Sequence, residues 1–214
     1  MLVAVKKMSM SMLESHVGAF FREAMTTMSI EPHPNVIKVY GMCQEIGALS
    51  IVMQLCARGS LDAILANVEE PLEDKQLFPI ALGIARGMAH LSTQHIIHRD
   101  LAARNILLES NGNPVIADFG FSRVVSDSGS GQTASTIGPV RWMAPESIGH
   151  RSYSEKSDVW AYGVTLYELY TASLPFADMD ILAVASRIKS GEHVPIPNNA
   201  PKIVQKMMGR IFVM

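Results

Sequence analysis

The sequence predicts an α+β protein in which short strands come first and long helices follow. Strand-like runs of apolar and β-branched residues occupy residues 2–6, 36–42 and 48–55. Two helical patterns dominate the rest: an apolar stripe over residues 77–91, and a segment that is apolar on nearly every side over residues 157–170. The 214 residues suffice for one domain with a substantial core, or for two small lobes that share a cleft.

The composition argues against several classes of function. Hydrophobic residues make up 48% of the chain and the net charge is −2, so there is no basic footprint for nucleic acid or for an acidic membrane surface. No apolar run approaches the roughly 20 residues that cross a bilayer, and the first ten residues lack a signal-peptide pattern. The two cysteines, Cys43 and Cys56, are too few for a disulfide framework. We therefore expect a cytoplasmic protein that binds no nucleic acid and has no membrane segment in this chain.

A lysine and a glutamate stand out in the first strand and the first helix. The strand over residues 2–6 is expected to end at Lys6, which on its own is typical of a solvated strand end. Residues 15–28 predict an amphipathic helix. Its buried stripe comprises Val17, Phe20, Phe21, Ala24 and Met28. Glu23 lies beside that stripe, and the prolines of residues 31–35 end the helix.

Capping residues predict how two later helices begin. Ser60 is a good N-cap for a short helix that ends at Ala66. Pro79 fits best in the first turn of a helix, so we expect the long helix to begin near Leu77 rather than at Asp74.

The most informative stretch is residues 98–105, which read HRDLAARN and are followed by an Asp-Phe-Gly triplet that begins at Asp118. An aspartate and an asparagine five positions apart, with a second aspartate before Phe-Gly, predict a phosphoryl-transfer site. Asp100 would accept a hydroxyl proton, while Asn105 and Asp118 would hold magnesium.

With these motifs the chain resembles a eukaryotic protein kinase catalytic domain of the tyrosine-kinase or tyrosine-kinase-like group. The resemblance implies a single domain with a bilobal α+β fold. A small, incomplete β-rich N-lobe would span residues 1–53, a hinge residues 54–58, and a larger helical C-lobe residues 59–214 without its final helix. It also implies ATP and Mg²⁺, or Mn²⁺, as cofactors and a protein as substrate.

The resemblance implies a role for each candidate catalytic residue. Asp100 would orient the substrate hydroxyl and accept its proton. Lys6, set by Glu23 of the first helix, would position the α- and β-phosphates of ATP. Arg104 would lie near the transferred phosphate. An ordinary solvated helix glutamate is the alternative for Glu23.

The resemblance also implies an adenine pocket, formed by Ala4, Met53, Gln54, Cys56, Leu107 and Ala117. Ala4 and Leu107 would sandwich the adenine ring. Met53 would be the gatekeeper at the back of the pocket, and the alternative, a core methionine in a buried strand, is also compatible with that role. Backbone groups of Gln54 and Cys56 would pair with the adenine edge, and Ala117 lies just ahead of the metal-binding aspartate.

Two further features would support this site. Residues 106–108 and 114–117 predict a hairpin that presents Asn105 and Asp118 at its two ends. Asp158, near the start of a buried helix, suits the helix dipole. By resemblance it would hold the backbone of the His-Arg-Asp turn.

Residues 121–138 predict a mobile loop rich in serine, glycine and threonine, where kinases have their activation loop. The loop contains no tyrosine. Its candidate phosphorylation sites are Ser126, Ser128, Ser130, Thr133, Ser135 and Thr136. Arg99 or Arg123 would pair with the added charge, and an unmodified flexible loop is the alternative.

The class of hydroxyl acceptor stays open in the sequence. Residues 102–104 (Ala-Ala-Arg) and residues 139–141 (Pro-Val-Arg) resemble kinases that accept tyrosine. The absence of a tyrosine from the loop resembles serine/threonine kinases instead.

The chain also departs from the kinase pattern. Five residues precede Lys6 and none is glycine, so no Gly-x-Gly-x-x-Gly hairpin is present. Residues 202–214 begin a helix, but the arginine expected to pair with Glu146 is missing. We expect a kinase domain that is shortened at both ends. A catalytically impaired fragment, or a pseudokinase-like binding or regulatory module, is the alternative to an active protein kinase.

Overall fold

The small first part of the molecule is a three-stranded sheet with one helix. The computed structural model describes residues 2–9, 13–45, 48–120, 122–124 and 139–213. The first part contains β1 (Val3–Ser9), α1 (Leu13–Ser29), β2 (Val39–Glu45) and β3 (Ala48–Gln54). The strands are antiparallel in the order β1-β3-β2, so β3 is central and β1 is an edge strand.

The larger part is mainly helical. Its elements are β4 (Gly59–Ser60), α2 (Leu61–Ala66), α3 (Asp74–Thr93), β5 (Ile96–Ile97), β6 (Ile106–Leu108), β7 (Pro114–Ile116), β8 (Arg123–Val124), α4 (Pro145–His150), α5 (Glu155–Thr171), α6 (Ile181–Lys189) and α7 (Lys202–Ile211). Two short sheets, β4-β6-β7 and β5-β8, accompany the helices. The predicted hairpin over residues 106–117 is confirmed as β6–β7. Helix α5 is buried on nearly every side, as its sequence predicts.

Each part has its own apolar cluster, and the two clusters are of unequal size. In the small part the buried members are Phe20, Ala24, Leu49 and Ile51. The cluster of the helical part is far larger and includes fully buried side chains such as Ile84, Leu101 and Leu166. Because apolar burial stabilises by about 25 cal/mol per Å², the small part gains little from its own core and depends on its contacts with the helical part.

The main joint between the two parts is the segment over residues 31–38. Asn35, which is 3% exposed, accepts a hydrogen bond at its carbonyl from the Ile116 backbone amide at 2.9 Å. Its side-chain amide donates to the Pro114 carbonyl at 2.8 Å and to Asn113 Oδ1 at 2.9 Å. One buried residue therefore binds the joint to the β6–β7 hairpin.

Two glycines of α3 allow this close approach. A Cβ atom at Gly87 would lie 2.6 Å from the Asn35 carbonyl oxygen and 2.6 Å from Ile116 Cδ1. A Cβ atom at Gly83 would collide with the ring of Pro114. The backbone of α3 thus packs directly against the joint.

The structure corrects three expectations in the small part. β1 does not end at Lys6 but continues to Ser9, because β3 pairs with it along its whole length. The strand expected over residues 36–42 lies later, at Val39–Glu45, because residues 36–38 belong to the joint. Phe21 and Met28, expected in the buried stripe of α1, are 40% and 47% exposed.

The expected start of α3 was also wrong. The helix begins at Asp74 rather than near Leu77. Glu73 is its N-cap and forms a capping box with Gln76, which satisfies two backbone amides of the first turn. Pro79 therefore lies inside the helix, one turn beyond its start.

The predicted short helix after Ser60 is confirmed, with the same end at Ala66. Ser60 is its N-cap by position, but its hydroxyl donates to the Asp62 carboxylate and accepts no backbone amide hydrogen bond. The expected cap interaction is therefore absent from this helix.

Within the ranges that the structure describes, no helix combines the length and the apolar character needed to span a membrane. Residues 125–138, which carry all six candidate phosphorylation sites, lie outside the described residues.

Candidate active site

The backbone of the His-Arg-Asp turn is held by a buried carboxylate of α5. Asp158 Oδ2 accepts from the His98 amide at 2.7 Å, and Oδ1 accepts from the Arg99 amide at 2.9 Å. Arg99 has a φ of +68°, a left-handed conformation that non-glycine residues rarely adopt. Burial raises the pKa of Asp158 to about 7, while the two amide hydrogen bonds act in the opposite direction. The prediction that Asp158 supports this turn is confirmed.

Asp100 lies in this turn with its carboxylate held by two neighbours. Asn105 Nδ2 donates to Asp100 Oδ2 at 2.9 Å and to its carbonyl oxygen at 2.7 Å. The Arg104 guanidinium pairs with the other carboxylate oxygen. Burial raises the pKa of Asp100, although Arg104 and Asn105 act to lower it. The result is an oriented carboxylate with increased basicity, which suits a proton acceptor.

The second aspartate, Asp118, faces an ion pair from the small part. Lys6 Nζ lies 2.6 Å from Glu23 Oε1 and 3.5 Å from Asp118 Oδ1. Burial lowers the pKa of Lys6, but Glu23 and Asp118 outweigh this, so that the pKa lies above its ordinary value. The ammonium is therefore charged at neutral pH. A strand, a helix and a loop contribute one group each to this arrangement.

His98 forms hydrogen bonds with the backbone at Asp100 and just before Asp118. Its ring is fully buried and packs edge-on against Phe119. Nδ1 accepts from the Asp100 amide at 3.3 Å, so Nε2 carries the proton and donates to the Ala117 carbonyl at 3.1 Å. Burial lowers the pKa of His98 to about 4, which keeps the ring neutral. His98 thus positions the residues before and around Asp118.

A second buried carboxylate, Glu168 of α5, supports the catalytic loop from the other side. One oxygen accepts from the Ala103 amide at 3.0 Å and from Trp142 Nε1 at 2.7 Å. The Trp142 ring lies under the Arg104 guanidinium, whose Cζ is 4.6 Å from the ring centroid. Glu168 therefore couples the loop that carries Asp100 to residues 139–143.

The predicted adenine-binding residues are spread over β1, β3 and the segment after it, β6, and the segment after β7. Ala4 of β1 is directly opposite Met53 of β3 in the register of the sheet. Leu107, on β6, is half-buried. Cys56 is 7% exposed, and burial raises the pKa of its thiol to about 11, which favours the neutral thiol and suits a packing residue.

A polar network joins Gln54, at the end of β3, to the β6–β7 hairpin. Gln54 Nε2 donates to Glu109 Oε1 at 2.8 Å. Asn113 Nδ2 donates to Glu109 Oε2 at 2.9 Å and to the Pro34 carbonyl at 2.8 Å. Both oxygens of Glu109 are therefore occupied within the protein.

A family model described as protein tyrosine and serine/threonine kinase matches residues 1–212. The chain belongs to this protein kinase family. Mouse ephrin type-A receptor 1 is 35% identical over 208 residues, and chicken ephrin type-A receptor 7 is 36% identical over 209 residues. Fibroblast growth factor receptor 1 of Dugesia japonica is 35% identical over 217 residues. Each alignment covers 96% of this chain, but 21%, 21% and 25% of the respective relatives.

The chain therefore spans between a fifth and a quarter of the length of these curated relatives. Its small sheet part and larger helical part form the bilobal α+β fold of protein kinases. Members of this family use ATP, a divalent metal ion and a protein substrate.

The residues of the kinase motifs lie in two groups of contacting side chains. One group is Lys6, Glu23 and Asp118; the other is Asp100, Arg104 and Asn105. Their individual roles stay predictions. Glu146 has no salt bridge to any other described residue.

Four supporting residues of the kinase site were not predicted from the sequence: Glu168, Trp142, Glu109 and Asn113. Glu168 is the one charged residue in the second half of α5, over residues 159–171, and a charge in such an apolar stretch is the signal that could have identified it. Asn113 gave no comparable signal, because asparagine is common in turns.

Proposed function

We propose that this kinase domain transfers the γ-phosphate of ATP to a protein hydroxyl, with tyrosine as the preferred acceptor. The observation that carries the proposal is the position of the Lys6 ammonium between the carboxylates of Glu23 and Asp118. A partly buried ion pair of this kind fixes a positive charge at the edge of the site, where phosphate oxygens would be neutralised.

Asp100 is the proposed proton acceptor. Asn105 and Arg104 hold its carboxylate in one orientation, and burial increases its basicity. Its task is to orient the substrate hydroxyl and take the proton as the phosphoryl group is transferred. Arg104, packed on Trp142, would contribute positive charge beside the transferred group.

Asn105 and Asp118 are the proposed ligands of Mg²⁺ or Mn²⁺. The Asn105 side-chain nitrogen, Nδ2, donates both of its hydrogen bonds to Asp100. The side-chain oxygen, Oδ1, has no partner within the described residues and is available to a metal ion. Asp118 is nearly half exposed, and both residues offer hard oxygen donors, as Mg²⁺ requires. Bound ATP and Mg²⁺ would supply the phosphoryl group and neutralise its charge.

The adenine ring is proposed to lie between Ala4 and Leu107, with Ala117 beneath the phosphate end and Met53 at the back. Gln54 and Cys56 would offer backbone groups to its edge. The close register of Ala4 and Met53 supports this arrangement.

Residues 102–104 support tyrosine as the acceptor. Ala102 is fully buried where many serine/threonine kinases have a lysine, and Arg104 provides the positive charge beside Asp100 instead. We further propose a reducing, cytoplasmic environment, since Cys43 and Cys56 are both free thiols.

The test is to incubate the chain with labelled ATP, Mg²⁺ and a protein mixture that contains accessible tyrosine, serine and threonine. The labelled amino acid is then identified. We expect phosphotyrosine, and we expect Asp100→Asn to reduce labelling by at least about a hundredfold. Asp74→Asn is the matched control, because Asp74 is exposed at the start of α3, an element that carries none of the proposed catalytic residues.

Equal labelling by the Asp100→Asn variant would contradict the proposed role of Asp100. Phosphoserine or phosphothreonine as the sole product would contradict tyrosine preference alone. No label from a folded wild-type chain would contradict the function itself.

A further inference from the structure

Two histidines from different elements stack on each other where the joint meets α3. His33 belongs to the joint over residues 31–38, and His90 lies in the last turn of α3. Their ring centroids are 4.7 Å apart, and the planes of the two rings differ by 15°. Both side chains are partly buried. The joint and the helical part are therefore in contact through two groups that can each take up a proton.

The hydrogen bonds of the two rings fix which nitrogen carries a proton. His33 Nδ1 accepts from the Asn35 amide at 3.1 Å, so the neutral ring has its proton on Nε2. His90 Nε2 lies 2.8 Å from the Glu31 carbonyl oxygen and must donate to it. His90 Nδ1 has no hydrogen-bond partner in the part of the chain that the structure describes. The two rings thus differ in what a second proton would cost.

A second proton is compatible with the contacts of His90 but not with those of His33. On His90 it would occupy Nδ1, leave the hydrogen bond to Glu31 intact and place a positive charge near the C-terminal end of a helix. On His33 it would occupy the nitrogen that accepts from Asn35, so that two N–H groups would face each other. The Asn35 amide has no other acceptor among the described residues, and Asn35 is 3% exposed. Its amide would be left without a partner.

The surroundings of His33 also oppose its protonation. Burial lowers the pKa of His33 below its ordinary value of 6.5, and the positive charges of His90 and Arg86 on α3 lower it further. The other charged groups that line the same cavity are Glu31, Lys38 and Glu109. These one positive and two negative charges do not reverse the effect on the pKa of His33. The closed joint therefore requires a neutral His33.

We propose that His33 and His90 form a proton-sensitive latch between the two parts, closed while His33 is neutral and opened when His33 is protonated. Protonation removes the acceptor of the Asn35 amide, and Asn35 is the residue whose side chain binds the β6–β7 hairpin. In the open state His33 is solvated and has its ordinary pKa, so the closed state binds fewer protons than the open state. The stability of the closed state therefore falls as the pH drops below about 6.5.

The latch goes beyond the proposed function, because it is a property of the fold, but its opening would alter the candidate site. Lys6 and Glu23 both belong to the small part, whereas Asp118 follows β7 in the helical part. The contact of 3.5 Å between Lys6 Nζ and Asp118 Oδ1 crosses from one part to the other. Opening would break this contact and leave the ion pair between Lys6 and Glu23 intact.

His33→Asn is the sharpest variant, because it removes the titratable ring and keeps an acceptor. An asparagine side-chain oxygen commonly accepts from the backbone amide two residues further on, which is the contact that His33 Nδ1 makes with Asn35. Native-state hydrogen exchange of the β1–β3 amides measures the opening, expressed as protection factors that remove the intrinsic pH dependence of exchange. Between about pH 7.5 and about pH 5, we expect wild-type protection to fall about fivefold or more relative to His33→Asn. His150→Asn, an exposed position at the end of α4, is the control and should follow the wild type.

His90→Gln is the second variant, and its expected effect has the opposite direction. Its side-chain nitrogen keeps a donor for the Glu31 carbonyl, while the positive charge that opposes protonation of His33 is removed. The pH at which β1–β3 lose protection should therefore rise toward 6.5, with each pH compared with the same variant at about pH 7.5. This comparison remains valid if His33→Asn lowers the Tm. NMR titration of the His33 ring should give a pKa below 6.5 in the wild type and a higher pKa in His90→Gln.

An equal fall of β1–β3 protection in the wild type and in His33→Asn would overturn the inference. A wild-type His33 ring that titrates at or above its ordinary pKa would also overturn it, as would a loss of protection in His90→Gln that is shifted to lower pH. None of these measurements uses ATP or a protein substrate, so failure of the proposed kinase function would leave their outcome unchanged.

Discussion

Lys6 and Lys7 are neighbours on β1, yet their electrostatic surroundings differ. Lys6 lies between Glu23 and Asp118 at the site. Lys7 pairs with Glu45 on the sheet surface, with both side chains 60% exposed. We expect Lys6→Met to lower kcat/KM for phosphotransfer at least about a hundredfold, because the phosphates lose a fixed positive charge. Steady-state kinetics with ATP varied is the measurement.

Lys7→Met is the matched control, with the same chemical change one residue away. An exposed ion pair contributes at most about 1 kcal/mol, so activity and Tm should remain close to the wild-type values. Equal losses in the two variants would mean that Lys6 acts through the sheet and not through the phosphates.

At the residue scale, the sequence predicts the groups whose type and spacing carry chemistry. Asp100, Asn105 and Asp118 are recognisable because each occupies a set position in a motif, and Lys6 and Glu23 meet as expected. Glu168 was not predicted as a support, because its partners, the Ala103 amide and the Trp142 indole, are distant in sequence. Such contacts depend on tertiary packing and leave no local pattern.

At the scale of elements, α5 holds the catalytic loop through Glu168, and this contact depends on pH. Burial raises the pKa of Glu168 from 4.5 to about 7. Between these values the folded protein retains a proton that the unfolded chain has released, so this group's contribution to stability falls as pH rises from 4.5 to 7.

Glu168→Gln removes this titration and keeps an oxygen that can accept from both Ala103 and Trp142. The free energy of unfolding of the variant minus that of the wild type should therefore increase between pH 4.5 and 7, by about 2–3 kcal/mol. Urea denaturation at closely spaced pH values measures the difference. A difference that does not change with pH would show that Glu168 has the same pKa in the folded and the unfolded protein.

Helix α3 shows a second constraint on an element, at Gly87. Alanine would gain up to about 1 kcal/mol of helix propensity, but its Cβ would lie 2.6 Å from the Asn35 carbonyl oxygen. Backbone atoms cannot move aside easily, and overpacking costs about 1–3 kcal/mol. We therefore expect Gly87→Ala to destabilise the protein, as measured by Tm and urea denaturation.

Gly149→Ala in α4 is the control, since a Cβ there meets no atom within 4 Å. It should be neutral or slightly stabilising. If both alanines stabilise equally, the joint can shift away from α3 without cost.

The elements themselves were largely predictable, and their boundaries were less so. The periodicity of α3 and α5 identifies both helices, but the start of α3 depends on a capping box between Glu73 and Gln76. Glutamate is an unusual N-cap, so Pro79 was given too much weight. Residues 36–38 are apolar enough to predict a strand. In the folded protein, however, residues 36 and 37 pair with Ile116 at the end of β7 and form part of the joint.

At the scale of the whole molecule, the two parts differ in how much apolar surface they bury. Among the described residues, the apolar cluster of the small sheet part has four buried members, whereas the helical part has a large continuous core. Local stability follows buried contacts. We therefore expect the amides of β1–β3 to exchange with solvent through a partial opening that leaves α3 and α5 folded, which native-state hydrogen exchange measures directly.

Asn35 is the side chain that should control this opening, because its amide binds the Pro114 carbonyl and Asn113 across the joint. Asn35→Ala leaves these acceptors without a donor, at a cost of about 1–3 kcal/mol. We expect exchange of β1–β3 to accelerate about tenfold or more while α5 changes little. Asn199→Ala is the control, since Asn199 donates one similar hydrogen bond to the Tyr170 carbonyl within the helical part. It should not selectively affect β1–β3. If Asn35→Ala instead lowers protection uniformly, the two parts unfold as one cooperative unit and the joint is part of a single core.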